Sequence, residues 1–78
     1  MINEINQLLQ ELLEDNTVPR NVKTKIEQII ALLGEETDLS LRVNKALNLL
    51  DEISDDNNMQ PYTRTQIWNV ASMLESLS

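Results

Sequence analysis

The chain has 78 residues, with 13 acids against 6 bases for a net charge of −7, no cysteine, no histidine and a single glycine. Those absences exclude a disulfide framework, a Cys/His zinc site, a histidine-activated nucleophile and a glycine-rich phosphate loop. The acidic balance also opposes the positive surface that nucleic acid or an anionic membrane requires.

Hydrophobic residues make up 41% of the chain, the value of an ordinary globular protein, and the length allows one domain, 1–78. No apolar run approaches the ~18 residues of a membrane span. The start, Met1-Ile2-Asn3-Glu4, lacks the basic region of a signal peptide, so a cytoplasmic location is expected. Tyr62 and Trp68 are the aromatic residues, and the core must therefore be built from Leu, Ile and Val.

Four segments carry the helical period. The first, about 2–14, places Ile2, Ile5, Leu8, Leu9, Leu12 and Leu13 on one face. The second opens at Pro19, which suits a first helical position because it has no N–H to leave unpaired. It aligns Val22, Ile26, Ile29, Ile30 and Leu33, and Gly34 is expected to end it in a left-handed conformation. The third follows Thr37-Asp38, either of which can cap it, and aligns Leu39, Val43, Ala46, Leu47, Leu50 and Ile53. The fourth starts at Pro61 and aligns Ile67, Val70, Ala71, Leu74 and Leu77. No period-2 run or hairpin dipeptide is present. The fold class is all-α.

A 41-residue shift lays Ile5, Leu8, Leu9 and Leu12 on Ala46, Leu49, Leu50 and Ile53. It also lays Ile26, Ile29, Ile30 and Leu33 on Ile67, Val70, Ala71 and Leu74, and Glu14-Asp15-Asn16 on Asp55-Asp56-Asn57. A two-helix unit of about 40 residues is the spacing of HEAT-type repeats. The pattern predicts a four-helix bundle built as two stacked HEAT-like hairpins, 1–34 and 35–78; a plain up-and-down bundle would bury the same residues. Repeat arrays expose apolar flanks at their ends. Leu41, opposite the main stripe of its helix, and Leu32, Leu49 and Met73 beside theirs, suggest a covering partner, a homodimer among the options.

The acids Asp51, Glu52, Asp55 and Asp56 do not follow a Ca²⁺-loop spacing, which needs alternate ligands, a central Gly and a Glu at the twelfth position. Without His, the Glu-x-x-His pattern of di-iron bundles is missing as well. No metal, cofactor or catalytic residue is assigned. These acids instead form a solvated corner able to cap a helix. The bases Arg20, Lys23, Lys25, Arg42, Lys45 and Arg64 fall in the first halves of helices, where the dipole disfavours cations. One reading makes them a ladder of inter-helix ion pairs. The other makes Lys23 and its repeat mate Arg64 a basic row that grips an acidic partner or a phosphate.

Trp68 falls roughly 120° from the centre of its helix's apolar stripe, where its repeat mate is Glu27. It either covers the edge of the core or anchors a partner, since exposed Trp, Tyr and Arg are enriched at binding hot spots. Arg64 lies one turn earlier on the same flank, and Tyr62 lies on the opposite one.

The stretches Glu14-Asp15-Asn16-Thr17-Val18-Pro19-Arg20-Asn21, Leu50-Asp51-Glu52-Ile53-Ser54 and Arg64-Thr65-Gln66-Ile67-Trp68 resemble the archaeal uncharacterised protein family numbered 0147. The resemblance covers nearly the whole chain. It implies an archaeal source and a small all-helical fold, and it carries no activity or functional residues. The expected function is a non-enzymatic protein–protein interaction module with an unidentified protein partner. Arg64 and Trp68 would anchor it, Lys23 and Arg20 would steer it, and Tyr62 would serve the same role for a second surface. The alternatives are an accessory factor of a nucleic-acid or ribonucleoprotein machine and a divalent-metal carboxylate enzyme.

Overall fold

Each of the four periodic segments forms a helix, and the computed structural model describes them over residues 2–56 and 58–77. They are α1 (Ile2–Glu14), α2 (Arg20–Leu33), α3 (Leu39–Ser54) and α4 (Pro61–Glu75). No strand occurs among the described residues. Asp38 caps α3, its Oδ1 accepting from the Ser40 N–H at 2.9 Å, and Pro61 opens α4. Pro19 lies one position earlier than expected, at the N-cap of α2, where its fixed φ of −59° is equally at ease.

Gly34 corrects the sequence reading more clearly. It ends α2 with φ −86° and ψ −5°, a right-handed conformation, and its N–H reaches the carbonyls of Ile30 and Ala31. The helix simply tightens and stops, so no left-handed residue is needed. A Cβ at Gly34 would meet its nearest neighbour, the Ala31 carbonyl oxygen, at an ordinary 3.5 Å. Gly34→Ala is therefore expected to raise stability by about 0.4–1 kcal/mol, by restricting the unfolded chain, in a urea unfolding measurement.

The helices meet in a ring: α1 packs on α2, α2 on α3, α3 on α4, and α4 closes on α1. The diagonal pairs α1–α3 and α2–α4 make no close backbone approach among the described residues. HEAT-like units stack by translation and would bring those like helices together, so the stacked arrangement gives way to an up-and-down bundle. The 33 Å long axis exceeds the ~24 Å of the 16-residue α3 by little more than the loops. The five-to-six-residue connections force neighbours antiparallel. A short bundle closes its apolar faces on one another most completely as a ring, and a two-unit stack would leave two flanks open.

The repeat nevertheless persists in three dimensions, as an exchange of α1 for α3 and α2 for α4. Asp15 Oδ1 accepts from the Thr17 N–H at 2.8 Å, and Asp56 Oδ1 accepts from the Asn58 N–H at 2.8 Å, 41 residues on. Thr24 donates to the Arg20 carbonyl as Thr65 does to that of Pro61. Asn57, the last residue of the second acidic corner, lies outside the described residues.

The core is aliphatic. Ile5, Leu9, Ile26, Ile29, Val43, Ala46, Val70 and Leu74 are fully buried. Val18 and Met59 were not anticipated; they are repeat mates, and each plugs the end of the bundle just before a helix. Leu32, Leu49 and Met73 are half-buried against the core and not loose flanks, whereas Leu41 is exposed. Thr63 is fully buried, with no partner for Oγ1, at the position its repeat mate fills with Val22. Thr63→Val is expected to stabilise by about 1 kcal/mol, read as a rise in thermal midpoint, because it removes an unpaired buried hydroxyl at nearly constant shape.

Candidate functional site

Residues 15–19, 55–56 and 58–60 lie at one end of the ring, joined there by Asn21 Nδ2 donating to Asp56 Oδ2 at 2.6 Å. Arg20, Lys23, Tyr62 and Arg64 gather at this end because α2 and α4 both start there. They do not form one row. Lys23 faces Asp15 in the first corner, Arg64 turns onto the end of α3, and α2 and α4 stand diagonally apart.

Arg64 is the largest departure from expectation. Its Nη1 donates to the Ser54 carbonyl at 2.6 Å and its Nη2 to the Asp56 carbonyl at 3.1 Å. Arg42 does the same at the other end of the bundle, with Nη1 to the Leu33 carbonyl at 2.8 Å and Nε to the Thr37 carbonyl at 3.1 Å. The cations at these helix starts are thus stabilised by the preceding helix. Antiparallel packing sets the first turn of each helix beside the last turn of the one before, where carbonyls lack intrahelical partners and the dipole is negative. Lys25 and Glu52 do form an inter-helix ion pair, at 2.8 Å, but both side chains are substantially exposed and the pair adds little. The predicted ladder of ion pairs is mainly a set of carbonyl caps, and Arg64 is half-buried in one of them instead of standing free as an anchor. Arg20 is exposed.

The acidic corners are held as anions by the same end of the bundle. The Thr17 hydroxyl, then the Thr17 N–H, lower the Asp15 pKa from its ordinary 3.8; slight desolvation opposes them and Lys23 assists. Asn21, then the Asn58 N–H, lower that of Asp56, with desolvation opposing and Arg64 assisting. A carboxylate with a depressed folded pKa contributes stability that is full above its unfolded value and is lost as pH falls through the folded one. The gap in thermal midpoint between the wild type and an Asp15→Ala, Asp56→Ala protein is therefore expected to be constant near neutrality. It should close as the pH drops below about 3.8. Among the described residues no group of three or more acids is placed to hold a metal ion.

Trp68 is 58% exposed and Tyr62 65% exposed. The Tyr62 hydroxyl accepts from Gln66 Nε2 at 3.1 Å. Trp68 follows the buried Ile67 by one position, so its side chain swings about 100° round α4 toward α3. There it walls a groove of about 210 Å³ with Leu47, Asn48, Asp51, Ser54, Ala71 and Glu75. That volume lies below the roughly 300–1,000 Å³ of small-molecule sites and suits a single side chain. A shallower groove of about 480 Å³ between α2 and α3 is floored by Ala31, Leu32 and Leu49 and edged by Lys45, Glu35 and Glu52. Of the predicted anchors, only the two aromatics are presented to solvent, on opposite flanks of α4. Trp68 walls the α3–α4 groove, and Arg20 and Lys23 line a separate surface at the start of α2. Leu47, on the α3 wall, was read from the sequence as core; its repeat mate Asn6 is the one signal that it stands at an edge.

No helix among the described residues is long and apolar enough to cross a membrane. A model of an uncharacterised protein family, UPF0147, matches residues 1–77. A UPF0147 protein of Pyrococcus abyssi is 44% identical over 78 residues, spanning 97% of this chain and 91% of its own length. One from Methanosarcina mazei is 36% identical, spanning 99% and 84%. The crystal structure of a protein of the same family from Thermoplasma acidophilum superimposes with a TM-score of 0.92 at 40% identity, over 99% of this chain and 92% of that one.

Proposed function

The chain belongs to the uncharacterised protein family UPF0147, and from that footing we propose that it is a cytoplasmic, non-enzymatic module that binds another protein through the α3–α4 face. The observation that carries this reading is Trp68: the sole tryptophan of a chain with an aliphatic core lies exposed in a groove the size of one side chain. Burying so large a ring against a partner is worth several kcal/mol, which is why such residues dominate binding energies. The nucleic-acid alternative loses its footing because Arg42 and Arg64 are committed to backbone carbonyls and Lys23 stands apart from them.

The test is affinity capture from native archaeal extract with the wild type and with Trp68→Ser, whose fold is checked by circular dichroism. A protein recovered by the wild type and lost by the equally folded variant is the expected result. Identical captured sets would overturn the proposal.

A further inference from the structure

Resting on that reading, we infer that the Trp68 groove receives a cationic side chain, arginine or lysine, from a basic segment of the partner protein. Three observations carry the inference. Trp68 presents its ring to solvent, and the face of an indole attracts cations more strongly than any other aromatic side chain. Asp51 and Glu75 line the same groove, and no base does. The α2–α3 groove, by contrast, includes Lys45, and the shallow surface at the start of α2 includes Arg20 and Lys23.

The nearest cation on α4, Arg64, lies one turn before Trp68. Its Nη atoms are turned away onto the Ser54 and Asp56 carbonyls, so its donors are already engaged at the end of α3. An arginine entering the groove would lay its aliphatic stem along Leu47 and Ala71, its guanidinium over the indole, and its charge beside the Asp51 carboxylate. The volume of about 210 Å³ admits that side chain and little more. The net charge of −7 would draw a basic segment toward the protein before contact. The repeat does not reproduce this lining in the first half of the chain. At the equivalent place between α1 and α2, Glu27 replaces Trp68 and Gln10 replaces Asp51.

The single tryptophan makes its own fluorescence a reporter of this site. The probes are three blocked hexapeptides that alternate leucine with arginine, serine or glutamate, titrated at low salt. The arginine peptide is expected to shift the Trp68 emission saturably, at least about tenfold more tightly than the other two, and to weaken as salt rises. Asp51→Asn is expected to weaken it about fivefold. Trp68→Leu, followed by calorimetry, keeps an apolar wall but removes the ring face, and should weaken it about tenfold.

Equal binding of the three peptides, or an arginine titration indifferent to Asp51→Asn, would overturn the inference. So would a concentration-dependent sedimentation shift abolished by Trp68→Ser without any peptide, since a second copy would then be the occupant. If the peptides fail while extract capture still depends on Trp68, only the charge of the partner has been misread. If capture is indifferent to Trp68, the interaction reading itself falls.

Discussion

Replacing Ile26 with alanine is expected to lower the unfolding free energy by about 2–5 kcal/mol. Ile26 is 0% exposed and sits on α2, which packs on both α1 and α3. Its truncation removes three methyl or methylene groups from water-free contact and leaves a cavity that the surrounding Leu and Ile side chains can fill only in part. A chain of this length has a total stability of roughly 4–12 kcal/mol, so one such change removes a large share of it. Urea unfolding should show a fall in the midpoint at an unchanged slope, the sign of lost stability without a changed unfolded state. Leu41→Ala, on the exposed side of α3, should move the midpoint by no more than about 0.5 kcal/mol equivalent. Equal effects of the two would show that Ile26 is not part of the closely packed core.

Arg64→Met is the second large effect expected, about 1.5–3 kcal/mol of destabilisation. Methionine keeps most of the unbranched stem and removes only the donors, leaving the Ser54 and Asp56 carbonyls at the half-buried end of α3 without them. Arg64→Lys should recover a fraction of the loss, because a single ammonium cannot span two carbonyls as the planar guanidinium does. Lys25→Met is the control: it removes an ion pair between exposed side chains and should cost under about 1 kcal/mol. Chemical unfolding of the three variants at moderate salt checks this ordering. If Lys25→Met is the more damaging change, ion pairs and not carbonyl caps hold the helix starts.

The two effects differ in what they say about function. An arginine that caps α3 contributes to the protein whether or not a partner is present. Trp68, one turn later, contributes little to the isolated bundle, with most of its surface in water. The two adjacent residues that hot-spot statistics group together thus belong to different tasks, and the variants separate them: Arg64→Met should act on stability and Trp68→Ser on binding.

The duplication is equally informative where it fails. Val22 and Thr63 are mates, as are Glu27 and Trp68, Asn21 and Tyr62. The first pair leaves a buried hydroxyl without a partner in one half only. The other two place both aromatics of the chain on α4, so that a near-symmetric scaffold presents one distinctive face.

The helices are written in local signals, since the apolar spacing, Asp38, Pro61 and the loop residues act within a turn or two of chain. The aliphatic core is legible in the same way, because the 3.6-residue period sorts side chains whatever they later pack against. Packing in three dimensions was needed to show that the hairpins close as a ring, that Arg42 and Arg64 cap preceding helices, and that Trp68 stands beside Asp51 in a groove. Each of these depends on which helix lies next to which. Periodicity marks the face a helix buries but carries no address for its neighbour, and that address is set by the closure of all four apolar faces at once.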